Sequence, residues 1–273
     1  MTDTTRTSPA ISFRSVAKEF SGHRAVRELD LDIAYGELVS VVGVTGCGKS
    51  TMFNLILGLV PPTQGAVRVE GHDPYEEFAW FRRRVAVVFQ DSRLLPWRTA
   101  FQNVCIGMKF AGVPKAEWPD QAHHWLTTLG LGGREQAFPH QLSGGQRQRV
   151  SLARAFAVDP DLILCDESFS ALDEITATSL RAEFVALVRE GGKTGVVITH
   201  SIDEAMTLGD RILVLRPPGH LAADLTVPTA PDRDELDRLR GKILENMSPP
   251  AAAESTETPA PESGPGTPAV PAP

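Results

Sequence analysis

Excess positive charge is missing from this chain. Its 27 Lys and Arg face 34 Asp and Glu, a net −7, which argues against an affinity built on neutralising nucleic-acid phosphates, so no nucleic-acid partner is expected. Cysteine is sparse as well. Cys47, Cys105 and Cys165 stand too far apart for C-x-x-C metal spacing, and their odd number fits reduced thiols in a cytosol better than a disulfide framework. Nowhere do about eighteen apolar residues follow one another, so no bilayer-crossing helix is expected and any membrane role must come through a partner. The first ten residues offer neither a basic n-region nor an apolar h-region, so no secretion signal is expected. What remains, 42% hydrophobic and 22% charged over 273 residues, is enough for a real core in one large or two modest domains.

One string dominates. Gly43-Val44-Thr45-Gly46-Cys47-Gly48-Lys49-Ser50 reads G-x-x-x-x-G-K-S, directly after the apolar run Leu38-Val39-Ser40-Val41-Val42 and before a helical pattern ending near Gly58. The glycines let the backbone turn sharply and approach an anion, while free N–H groups and the helix N-terminus point positive charge at it. Lys49 adds a mobile cation and Ser50 a hydroxyl for Mg2+. Beside those N–H groups the Cys47 thiol is expected to favour its thiolate, whereas Cys165, in an apolar run, reads as core.

Around this loop the texture is mixed. Short alternating segments at Ile11, Val16 and residues 29–33, broken at Ser21-Gly22 and Tyr35-Gly36, read as antiparallel strands, and residues 65–71 as another. Val85-Ala86-Val87-Val88-Phe89 suits a strand covered on both faces. Residues 91–145 turn to helical periodicity interrupted by Pro96, Pro114, Pro119 and Pro139, an inserted helical subdomain. Buried-strand patterns at 162–165 and 195–199, separated by a helix over 176–190, imply parallel pairing in a central sheet. Residues 211–215 read as the last strand, and Leu236, Leu239, Ile243 and Met247 as one face of a terminal helix. Residues 248–273 are almost all Pro, Ala, Glu, Ser, Thr and Gly, and are expected to trail as a disordered tail.

Two further features carry chemistry. Leu142-Ser143-Gly144-Gly145-Gln146 precedes a helical run over 147–158, placing Ser143 and the glycines at a second anion-binding helix start. The strand at 162–165 ends in Asp166-Glu167, two carboxylates at the carboxyl edge of a sheet: one suited to Mg2+, the other to water attacking a γ-phosphate. His123 and His124, adjacent on a helical stretch, lack the companions of a metal site, and Arg82-Arg83-Arg84 read as a solvated edge.

From about Ile11 to Met247 the chain resembles the ATP-binding subunit of an ABC transporter. Gly43 to Ser50 match the Walker A loop, Gln90 the Q-loop, Leu142 to Gln146 the signature and Leu162 to Asp166 the Walker B strand. Glu167 matches the catalytic glutamate, Ser170-Ala171-Leu172-Asp173 the D-loop and His200 the switch histidine. The resemblance implies an α/β P-loop NTPase with a RecA-like core, an N-terminal antiparallel β subdomain and the inserted helical subdomain, spanning 11–247. It also implies a head-to-tail homodimer, with ATP sandwiched between one subunit's phosphate loop and its partner's signature helix.

On that likeness Gly43, Val44, Thr45, Gly46, Cys47, Gly48, Lys49, Ser50 and Thr51 bind nucleotide, and Phe20 stacks on adenine. Ser50, Gln90 and Asp166 hold Mg2+, and Gln90 senses the attacking water. Ser143, Gly144, Gly145 and Gln146 reach the γ-phosphate across the interface, Asp173 couples the two sites, and His200 contacts the γ-phosphate within its own subunit.

The stretch Phe89-Gln90-Asp91-Ser92-Arg93-Leu94-Leu95-Pro96-Trp97-Arg98-Thr99, with Asn103-Val104 and Arg216-Pro217-Pro218-Gly219-His220, is similar to importers of nitrate, sulfonates, taurine and bicarbonate. That branch implies two permease subunits, an extracytoplasmic solute-binding protein, a peripheral position on the cytoplasmic membrane face, and Arg93, Trp97 and Trp80 in a groove receiving a permease helix. A soluble ABC clamp in repair or translation, which would need a coiled-coil insertion or tandem cassettes, and an exporter subunit are the alternatives. The chain departs from the branch at Val44-Thr45, Asp91-Ser92 and Ser168, where Pro commonly follows the catalytic Glu; losing that Pro is expected to loosen the approach to the D-loop.

Overall fold

In the computed structural model, residues 8–247 are described, so the tail at 248–273 lies outside them. Alternating apolar residues build β1 (Ile11–Phe20) and β2 (His23–Ile33), antiparallel across the Ser21-Gly22 turn, where both residues take positive φ (47° and 83°). The apolar run 38–42 becomes β3 (Leu38–Gly43), buried along its whole length. After the glycine-rich loop come α1 (Lys49–Ile56) and β4 (Gln64–Val69), which pairs antiparallel with β1 to complete a three-stranded sheet.

The chain continues through a 3-10 turn at Phe78–Arg83 into β5 (Val85–Phe89). The helical insert contains α2 (Ala100–Ala111) and α3 (Trp118–Thr128), and α4 (Gly144–Phe156) packs on both. Then follow β6 (Leu162–Asp166), α5 (Glu174–Glu190), β7 (Thr194–Ile198), α6 (Ile202–Leu208), β8 (Arg211–Arg216), β9 (His220–Thr226) and α7 (Arg233–Met247).

The second sheet has the order β5-β6-β7-β3-β8-β9, parallel except for β9. Its pleat separates two cores. Leu162 and Leu164 face the side covered by α1 and the β1-β2-β4 sheet, while Ile163 and Cys165 face the side covered by α2, α4 and α5. A smaller cluster joins Ala205 of α6 with Leu239 and Ile243 of α7 over β8.

Three expectations change. β5, at the sheet edge, is fully covered on one face only: Ala86 and Val88 are buried in one core, while Val85, Val87 and Phe89 pack half-buried against the other. Residues 211–215 are not the last strand; β9 hairpins back on β8, and its half-exposed HLAADLT, where polar and small residues interrupt the apolar ones, hid it from a hydrophobic pattern. The signature helix starts at Gly144, three residues earlier than its apolar run suggests, because a capping box rather than side-chain periodicity sets its first turn.

Phe156 ends α4 between Trp125, stacked at 5.1 Å, and Phe184, edge-on at 6.3 Å, and is 1% exposed. Phe156→Ala is expected to cost about 3–5 kcal/mol in urea denaturation, because a rigid aromatic cluster on three helices cannot collapse into the space.

Candidate functional site

Parallel register assembles the site. Phe89 pairs with Asp166 and Asp166 with Ile198, so Gln90, Glu167 and His200 leave the sheet at one edge, three, two and one strands from β3, which the phosphate loop follows.

The loop's shape is dictated by close backbone approaches. A Cβ on Gly43 would stand 2.3 Å from the Leu215 carbonyl oxygen and 2.5 Å from Cys47 Sγ. Gly48, at φ 99°, would meet the Ala25 carbonyl at 2.6 Å and Gly219 Cα at 2.9 Å. Gly48 is also the N-cap of α1, and it brings no side chain to the helix's leading N–H groups; no acidic residue lies in that first turn. These N–H groups are donors suited to an oxyanion. Lys49, 9% exposed, donates to the carbonyls of Gly43 (2.6 Å) and Val44 (3.1 Å), so its ammonium lies inside the loop. Cys47 is fully buried with Sγ 3.8 Å from that ammonium, a packed position in place of the open one a reactive thiol requires. Ser50 is exposed at the start of α1 and Thr51 half-buried beside it.

At the end of β6, burial and then the neighbouring Glu167 charge push the Asp166 carboxyl above the usual carboxylate range, against the pull of Arg93 and Lys49. A carboxylate in that position is relieved by a cation. Glu167 adopts a left-handed φ of 47°, its N–H donates to the Ile198 carbonyl at 2.9 Å, and its Oε2 lies 3.4 Å from His200 Nδ1. Gln90 Nε2 donates to Ser170 Oγ at 3.3 Å, and that hydroxyl donates to the Glu167 carbonyl at 2.8 Å. Gln90, Glu167 and His200 therefore form one linked edge.

The signature segment lies elsewhere. Ser143 caps α4, its Oγ accepting from Gln146 N–H (3.3 Å) while Gln146 Oε1 accepts from Ser143 N–H (3.0 Å). A Cβ on Gly145 would approach Thr176 Cγ2 to 2.6 Å, so a larger residue there would have to displace that side chain of α5, and Gly144 lines a cleft with Gln90 and Leu172. α1 and α4 pack into cores on opposite faces of the sheet. Asp173 caps α5 through Thr176 N–H at 3.0 Å, a bond that holds its carboxyl below the ordinary range. Phe20, 43% exposed at the end of β1, carries the Lys18 ammonium 4.8 Å from its ring centroid.

Sequence reading missed the ties around the Q-loop root. Ser168, 2% exposed, donates to the Val88 carbonyl at 2.7 Å, so the residue replacing Pro does not loosen the loop: a side-chain bond holds it to β5. Gln148 of α4 donates to the Phe89 carbonyl at 3.0 Å, and Arg154 to those of Ser92 (2.8 Å) and Arg93 (3.0 Å). Polar residues inside an apolar-periodic stretch were the available signal.

Beside the same root runs an apolar groove of about 610 Å3 lined by Phe81, Val87, Phe89, Phe110 and Arg93 among others. Trp97 is 70% exposed outside that lining, and Trp80, also outside it, stacks on His72 at 3.9 Å; of the three residues expected at a permease groove, Arg93 lines this one. Arg82-Arg83-Arg84 are not simply a solvated edge: Arg82 lines the groove, and Arg84 lies over Trp80 and pairs with Glu70 and Asp161. His123 and His124 rest against Phe101 and Trp125.

Ser168→Ala is expected to lower stability by about 1–3 kcal/mol in denaturant titration, because the Val88 carbonyl stays buried without its donor.

Residues 26–170 match the family profile described as ABC transporter. An uncharacterized ABC transporter ATP-binding protein of Methanocaldococcus jannaschii is 39% identical over 233 residues, 83% of this chain and 86% of that protein. The taurine import ATP-binding protein TauB of Jannaschia sp. (strain CCS1) is 36% identical over 215 residues, 78% of this chain and 79% of that protein. The methionine import ATP-binding protein MetN 2 of Enterococcus faecalis is 39% identical over 213 residues, 75% of this chain and 62% of that longer protein. Among solved structures, a dimeric ATP-binding cassette in a post-hydrolysis state with ADP and Pi superposes with TM-score 0.70 at 34% identity, covering 80% of this chain and 99% of that one. With its phosphate loop, acidic strand end and helical insert in place, the chain belongs to the ABC transporter family as an ATP-binding cassette that hydrolyses ATP in support of transport.

Proposed function

We propose that this cassette energises an importer of a small solute, with taurine or a similar small anion first among the candidates, as a pair of copies bound to permease subunits. The likeness to import ATP-binding proteins named for taurine and methionine supports the direction of transport. The observation that carries the catalytic reading is the shared edge of Gln90, Glu167 and His200 beside the Lys49 loop.

The N–H groups from Val44 to Thr51 and the Lys49 ammonium hold the triphosphate, and Phe20 stacks on the adenine. Ser50, Asp166 and Gln90 are the residues that would hold Mg2+, which supplies charge neutralisation on the phosphates. The half-buried, charge-crowded Asp166 carboxylate fits a cation there. Glu167 accepts a proton from the attacking water, and His200, within reach of Glu167, contacts the γ-phosphate.

Ser143, Gly144, Gly145 and Gln146 complete the pocket of a second copy, since within one chain α1 and α4 occupy opposite faces of the sheet. Asp173, two residues past Ala171 in the cleft beside Gln90, joins the two sites. The apolar groove next to Gln90 receives a permease segment, so the Q-loop sits between nucleotide and permease. The solute is recognised by an extracytoplasmic binding protein, and the cassette sits peripherally on the cytoplasmic face. Among the described residues no helix is long and apolar enough to cross a membrane.

Glu167→Gln is expected to keep ATP affinity while kcat falls by about 10²–10⁴-fold, the protein accumulating as an ATP-bound dimer on gel filtration; normal steady-state hydrolysis overturns the base assignment. Lys49→Ala is expected to weaken ATP binding by about tenfold or more in a direct titration, and an unchanged titration contradicts the cradle role.

A further inference from the structure

His200 has little of its own to orient it. Its side chain is 61% exposed and its ion-pair partner is Glu167, so the direction of the imidazole depends on the backbone on either side. That backbone is braced by two polar residues with no role so far. Thr199 is fully buried at the end of β7, its N–H donating to the Val41 carbonyl at 3.1 Å. Its hydroxyl donates to Glu204 Oε2 at 2.7 Å and accepts from Ser201 N–H at 3.0 Å, so one oxygen spans His200 from the residue before it to the residue after it.

Glu204, in the first turn of α6, is 2% exposed; its N–H donates to Ser201 Oγ at 3.3 Å and its second oxygen, Oε1, is buried without a hydrogen-bond partner. A carboxyl group so placed is costly, and burial pushes it above the usual range. The Thr199 bond, Arg181 and His200 oppose that rise, and Glu167 adds to it. An apolar residue would pack the spot at no such cost, so the carboxyl has work to do that packing does not explain.

We propose that Thr199 and Glu204 are positioning residues for His200: the buried carboxyl fixes the Thr199 hydroxyl, and that hydroxyl fixes the bend that turns the imidazole towards Glu167 and the γ-phosphate. The proposal rests on the role given to His200 above.

The test compares Thr199→Val, Thr199→Ser and His200→Ala in the full-length chain, measuring ATP affinity by direct titration and turnover at saturating ATP. Thr199→Val, nearly isosteric, is expected to bind ATP as the parent does while kcat falls about tenfold, and Thr199→Ser, which keeps the hydroxyl, to restore turnover. Undiminished kcat in Thr199→Val, a parallel loss of affinity and turnover, or failure of Thr199→Ser to restore turnover overturns the positioning role. When that happens while His200→Ala has lost turnover, the catalytic reading of His200 stands; full turnover by His200→Ala removes both.

Discussion

Hydrogen-bond register between parallel strands is the constraint from which the rest of the site descends. Phe89, Asp166 and Ile198 lie side by side in β5, β6 and β7, so the next residues of three distant segments must leave the sheet at one level. A slip of one residue in any of these strands would exchange its inward and outward faces and displace its functional side chain together. The buried alternation of Leu162, Ile163, Leu164 and Cys165 between two cores prevents that slip, which makes the packing of the sheet and the alignment of the site a single problem.

The phosphate loop adds a second requirement, backbone proximity. Gly43 lies against the Leu215 carbonyl, and Gly48 against the Ala25 carbonyl and Gly219 Cα, so the backbone of β2, β8 and the turn into β9 walls in the loop. Lys49 then lies inside a cradle whose shape is set by strands far away in the chain. Across the sheet, α4 belongs to the other core, so α1 and α4 lie on opposite faces within one chain.

Much of this was legible beforehand, where the physics is local. The glycine spacing, the strand before it, the acidic pair after an apolar run and the helical insert each leave a mark in consecutive residues. β9 left none because an edge strand with half-exposed, mixed residues has no strong period. Ser168 was misread for a different reason: the backbone freedom gained by replacing proline is visible in a sequence, whereas the carbonyl of Val88, which the serine hydroxyl meets, is eighty positions away. Trp80 and Trp97 were placed in the groove on residue type alone, and only packing against His72 or exposure to solvent distinguishes them from Arg93, which lines it.

By itself the sequence determined the groups available to the protein: a glycine-rich loop with a lysine and a hydroxyl, two adjacent carboxylates at a strand end, and a capped second helix start. These depend on residue type and short spacing, which a linear string contains in full. The tertiary structure alone decided which groups meet. It joined Gln90 to Glu167 through Ser170, set His200 beside that glutamate, braced it with a buried threonine and glutamate, and put α1 and α4 on opposite sides of the sheet. Those outcomes follow from strand register and core packing, which are agreements between segments that no stretch of the chain contains on its own.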